Sequence, residues 1–121
     1  MISFDEFLNE KTSPKKLKNI LDGAYKEAEK ASLDFMKGRV DGEGRDGSVY
    51  VRFNATKKEK MTPEIEGMLL ANGANKSGSE IFILNPCNTD IEDYDGKYKG
   101  AEAFAKYIKA HTGFIATVHK S

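Results

Sequence analysis

A stripe of apolar side chains behind a Ser-Pro start fixes the largest element this chain can form. Leu17, Ile20, Leu21, Ala24, Ala28, Ala31 and Phe35 recur at three- and four-residue steps, the spacing that gathers side chains on one helix face. Ser13 can accept a hydrogen bond from a free amide of the first turn, and Pro14 loses none at the first helical position. Gly38 stands where a left-handed C-terminal cap belongs. A helix over residues 14–37 is expected, with Asp22-Gly23 as its weak point. Lys15, Lys16, Lys18, Lys26 and Lys30 fall mostly off the stripe and read as solvated.

The rest of the chain changes period. After the glycine-rich turn of residues 39–47, Val49, Val51 and Phe53 alternate with Tyr50, Arg52 and Asn54, the pattern of a half-buried strand. Thr62-Pro63 starts a short helix carrying Ile65, Met68 and Leu69 and ending near Gly73. Residues 73–79 read as a polar loop. The run Ile81-Phe82-Ile83-Leu84 reads as a strand buried on both faces and as the best candidate for a central strand. After a loop over residues 85–96, Ala101, Phe104, Ala105 and Ile108 define a helix ending at Thr112-Gly113, and residues 114–119 form a last strand. The order is N-terminal helices followed by βαβαβ. A helix between successive strands favours crossover connections, so the expected fold is α+β or small α/β, with a three-stranded, or four-stranded, mixed or parallel sheet and helices packed against it.

At 121 residues the chain suits one core, which residues 13–121 would form, leaving residues 1–12 as an amphipathic N-terminal helix or a removable leader. No apolar run approaches the roughly 20 residues a membrane span needs. The one cysteine, Cys87, has no internal disulfide partner, which fits a cytoplasmic, reducing setting. The 19 basic and 19 acidic side chains cancel in sum but not along the chain. Residues 61–96 carry Lys76 against seven acids, whereas residues 97–121 carry five lysines against Glu102 alone.

Catalytic and cofactor signatures are weak. Cys87 follows the proposed central strand, where α/β folds place functional loops, but only His111 and His119 could serve it as a base, and no hydrolase signature surrounds it. The acidic segment 90–95 with Gly96 suggests a calcium loop, yet Ile91 occupies the first ligand position, where a carboxylate is needed. Cys87, His111 and His119 lack metal-site spacing, and the glycines at 38, 42, 44 and 47 precede a strand instead of opening a helix, so they cradle no phosphate. No cofactor, no metal and no enzyme activity are expected; a small enzyme using Cys87 or the loop 90–95 is the alternative. The residues best placed to meet a partner are Tyr50 and Arg52 on the outer strand face, Lys57, Lys58 and Lys60 beside it, and the acids Glu92, Asp93 and Asp95. Nucleic acid would be drawn by the first five, against an overall charge of zero.

The first ten residues carry a different kind of signal. Ser3 and Glu6 form a capping box, and Phe4, Phe7 and Leu8 share one face. The order Ser-aromatic-x-Glu-Phe-aliphatic-x-Glu from the initiator Met resembles the capsid-targeting propeptide of internal head proteins of T-even-type tailed bacteriophages. That resemblance implies cleavage by a prohead protease after Leu8-Asn9-Glu10, with Lys11 as the new first residue. Removal of Asp5, Glu6 and Glu10 would leave the remainder at a formal +3. It further implies packaging in the virion interior and contact with a host macromolecule, most simply a protein, to inhibit it. Two alternatives remain open: a cytosolic phage or bacterial inhibitor that keeps its N-terminal helix, and a nucleic-acid-binding accessory protein.

Overall fold

In a computed structural model, which describes residues 13–40, 47–87 and 92–120, helix α1 runs unbroken through Pro14–Met36. The Ser13 hydroxyl accepts the Lys16 amide at 3.1 Å, and Gly38 takes the left-handed conformation (φ 77°) expected beyond the helix end. Gly23 is no weak point: the Tyr107 ring lies directly on it, where a methyl group would collide. Strand β1 (Val49–Asn54) follows, then α2 (Pro63–Ala71), capped by Thr62, β2 (Asn75–Ser77), β3 (Glu80–Leu84), α3 (Tyr94–His111) and β4 (Ile115–Lys120). The proposed leader and its cleavage residues Leu8, Glu10 and Lys11 lie outside the described residues.

The four strands form one sheet in the order β2-β3-β1-β4, and every neighbouring pair is antiparallel. The expected parallel or mixed sheet is therefore wrong, and the cause is local. The stretch read as a polar loop contains β2, which turns at Gly78 (φ 62°) and pairs back on β3, with Ser77 opposite Glu80. That hairpin reverses the chain between α2 and β3. The two helical crossovers do exist, since β1-α2-β2 and β3-α3-β4 each join strands of one direction. Each leaves a gap that an antiparallel strand fills, the split β-α-β arrangement.

The core lies on one side of this sheet. Val49, Val51 and Phe53 of β1, Ile81 and Ile83 of β3, and Ala116 of β4 face Leu17, Leu21, Ala24 and Ala28 of α1 and Phe104 and Ile108 of α3. Phe104 is its hub, with Tyr25 at 5.2 Å and Phe53 at 6.3 Å, both edge-on. The helices α1 and α3 cross at small residues: a methyl group on Gly100 would stand 2.5 Å from the Cys87 Cβ and 3.1 Å from the Ala28 carbonyl oxygen. The second correction concerns β3, which is buried on one face only. Ile81 and Ile83 are inside, whereas Phe82 is half-buried and Leu84 is 54% exposed. No helix among the described residues is long and apolar enough to cross a membrane.

Candidate functional site: the outer face of the sheet

Strand alternation decides what the opposite face shows. With odd-numbered residues of β1 turned inward, Tyr50, Arg52 and Asn54 turn outward. The register sets Tyr50 opposite Leu84 on one side and His119 on the other, and Arg52 opposite Phe82 and Thr117. Tyr50 and His119 stack nearly parallel at 5.1 Å, while Phe82 meets Tyr50 edge-on at 5.4 Å. Cross-strand aromatic pairs of this kind add roughly 0.5–1.5 kcal/mol beyond burial, so the three rings make one pre-ordered patch.

Polar groups hold the patch in place. The Thr117 hydroxyl and His119 Nε2 share a hydrogen bond at 2.8 Å. The Asn54 side-chain amide donates to the Ile115 carbonyl at 3.0 Å and to the Thr117 hydroxyl at 3.1 Å. Arg52 pairs with Glu80 at 3.1 Å, so the two formal charges that the described strands place on this face neutralise each other. Leu84 and Ile115, 54% and 49% exposed, flank the patch at opposite ends.

The remaining sequence candidates scatter. Lys57, Lys58 and Lys60 are exposed on the β1–α2 loop. That loop is tied down by Thr56, whose hydroxyl donates to the Gly113 carbonyl at 2.7 Å and accepts the Lys58 and Glu59 amides. These lysines project beyond Asn54, about 13 Å along the strand from Tyr50 at 3.3 Å per residue. Asp93 is not a surface contact. It is 1% exposed and caps α3, accepting the Gly96 amide at 3.0 Å and Arg39 at 3.2 Å. The Gly96 amide, with Arg39 adding to it, holds its carboxyl below the usual aspartate value despite burial. Asp95 falls in the first turn of α3, where a carboxylate suits the helix dipole, so the helix starts inside what reads as an acidic loop. Glu92 is exposed just before it.

Cys87 is buried, its thiol donating to the Asn85 side-chain oxygen at 2.9 Å, and its Cβ faces Gly100 on the helical side of the sheet. His119 stands on the other side, and His111 rests on the Tyr107 ring at 4.2 Å, about 16 Å along α3 from Gly100 at 1.5 Å per residue. Neither histidine is placed to draw off the thiol proton. Among the described residues no group of three or more His, Cys, Asp or Glu side chains could hold a metal ion. Sequence reasoning found Tyr50 and Arg52 but missed Phe82, Leu84 and His119. The signal was the register of Glu80, Phe82 and Leu84, hidden inside an unbroken apolar run. Comparison with known protein families, curated proteins and solved structures gives no match.

Proposed function

We propose that this chain is a small phage-type binding protein that acts by contacting a host protein through the sheet face that no described helix covers. The observation that carries the reading is the Tyr50–Phe82–His119 patch beside exposed Leu84, with Arg52 already neutralised by Glu80. Aromatic residues and Arg are enriched, and Lys and Glu depleted, at the centres of protein interfaces. A single-stranded nucleic acid would also stack on such rings, but it needs unpaired cations along its path to meet phosphates. Here the nearest lysine cluster stands at one end of the sheet.

Size narrows the mode of contact. Four strands of up to six residues present roughly 15 by 20 Å, on the order of 300 Å² in projection. A stable partner usually covers about 800 Å² on each side, so it must reach past the sheet onto flanking loops. The β1–α2 loop with Lys57, Lys58 and Lys60 is one such shoulder. The phage setting, processing after Glu10, packaging and inhibition of a host target rest on the resemblance of residues 1–10 to the internal-head-protein propeptide.

Two measurements test the reading. Intact mass of the protein recovered from virions should begin at Lys11; a Met1 form, or absence from virions, rejects the packaged role. For the face, proteins captured from host lysate by the wild type are compared with those captured by Tyr50→Ala/Phe82→Ala, alongside fluorescence anisotropy with labelled dT12 and rU12. Loss of a saturable partner in the double variant, with no oligonucleotide binding at 150 mM salt, supports a protein target. An unchanged set of captured proteins removes the open face from the function, and tight oligonucleotide binding lost in the same variant assigns it to nucleic acid.

A further inference from the structure

The two edges of the sheet are unequal. At one side β2 has three residues, too short to template another chain, as natural edges usually are. At the other side β4 has six, and no strand lies beyond it among the described residues. A groove of about 640 Å³ runs between β4 and α3, reaching Ala116, Thr117 and Val118 of the strand and Ala103 of the helix.

The rim of that groove is basic. Lys99, Lys106 and Lys109 all line it, against Glu102 as the one carboxylate of the lining, and helical steps of seven and three keep the lysines on one side of α3. Lys106 and Lys109 are exposed, and Lys99 makes a loose contact with Glu102, at 3.8 Å, and lies over the Phe35 ring at 6.0 Å. At the end nearest the α3 N-terminus Lys120 lies over the Tyr98 ring at 5.5 Å. The stripe from Lys99 to Lys109 is about 15 Å long at 1.5 Å per residue, and six residues of β4 span about 20 Å. Of that strand the groove reaches Ala116 to Val118, about 10 Å, and over that stretch the strand stands on one wall and the ammonium groups on the other.

We propose that this groove takes an extended acidic segment of a partner protein as a fifth strand on β4. The backbone edge supplies the strand-addition mode of recognition. The small side chain of half-buried Ala103 leaves room on the helix wall for side chains of the incoming strand. A glutamate placed there lays its methylenes on Ala103 while its carboxylate reaches the lysine rim. This surface is distinct from the aromatic face, and it stands if that face proves idle.

The test uses the full chain and a fluorescein-labelled octapeptide of alternating Glu and Thr. The expected result is saturable binding, with amide shift changes in NMR spectra concentrated in residues 115–120. Lys106→Glu/Lys109→Glu, changes confined to exposed side chains, should weaken binding about ten-fold or more, through lost attraction and added repulsion. Methylating alternate amide nitrogens of the peptide should abolish binding, and replacing its Glu by Lys should do the same. Equal binding of the methylated peptide would reduce the effect to unspecific charge attraction and overturn the proposal. So would no binding at all, or sedimentation showing that β4 is sealed by a second copy of this chain.

Discussion

Replacing Asp93 by Ala removes several interactions at once, and the structure separates the sizes of the main ones. Its Oδ1 accepts the amide of buried Gly96, a first-turn cap worth about 1 kcal/mol and up to about 2 in proteins. Its Oδ2 meets Arg39, whose side chain is 42% exposed; solvent screens such a pair, so it adds about 0.5 kcal/mol. The negative charge at the α3 N-terminus adds a few tenths more. Asp93→Ala should therefore cost about 2 kcal/mol. At roughly 4 °C per kcal/mol for a chain of this length, Tm falls by about 8 °C. Asp93→Asn keeps a capping oxygen and loses the charge, so about 1 kcal/mol or less is expected.

Thermal and urea melts followed by circular dichroism at pH 7 read both variants, and Arg39→Ala in each background isolates the ion pair. The pH dependence has a fixed sign. Because the folded-state carboxyl titrates below its ordinary value, its contribution is full above about pH 4 and fades as pH falls through the lower folded value. The gap between wild type and Asp93→Ala should narrow in acid. An Asn variant as unstable as the Ala variant would make the charge, not the cap, the main contribution. An Ala variant as stable as wild type would refute the structural role and return Asp93 to the candidates for partner contact.

Two glycines should respond in opposite directions to the same change. Gly67 lies in α2 with nothing within 4 Å of where an alanine methyl would stand, so Gly67→Ala should stabilise by about 0.5–1 kcal/mol from helix propensity alone; Gly100→Ala should destabilise, because that gain is outweighed by collision with Cys87 and the Ala28 carbonyl. Chemical denaturation of both variants settles the contrast, and a stabilised Gly100→Ala would show that α1 and α3 can separate at little cost. Phe82→Ala should cost less than the roughly 3–5 kcal/mol typical of a buried Phe, since its ring is only half-buried on the open face; a loss in the full core range, measured by urea melts, would mean that something covers that face in the free protein.

How much of this is legible in the sequence follows from the range of each interaction. The caps at Ser13 and Thr62, the α1 stripe and the alternation of β1 are set by neighbours within four residues, and the structure reproduces the caps, the alternation and the stripe as far as Ala28; beyond it Ser32 is buried, while Ala31 and Phe35 are only half-buried. The sheet escapes a sequence reading because its order depends on a three-residue strand. Asn75, Lys76 and Ser77 have no apolar periodicity to announce them and become a strand only by pairing with β3. That one hairpin converts parallel neighbours into split crossovers. It also leaves one side of β3 without a helix among the described residues, since the described helices lie on a single face and the run Ile81 to Leu84 must turn every second residue outward. The aromatic patch is a consequence of the same step. Tyr50 can be assigned to an outer face from its own strand, but Phe82 and His119 reach it across two ladders, and cross-strand register is long-range information. Asp93 shows the reverse case. Its capping role is local, with Gly96 three residues on, yet in an acidic segment any of four carboxylates could begin the helix. Asp93 is also met by Arg39, carried to it from 54 residues away by the antiparallel packing of α1 on α3, and that pairing has no local signal.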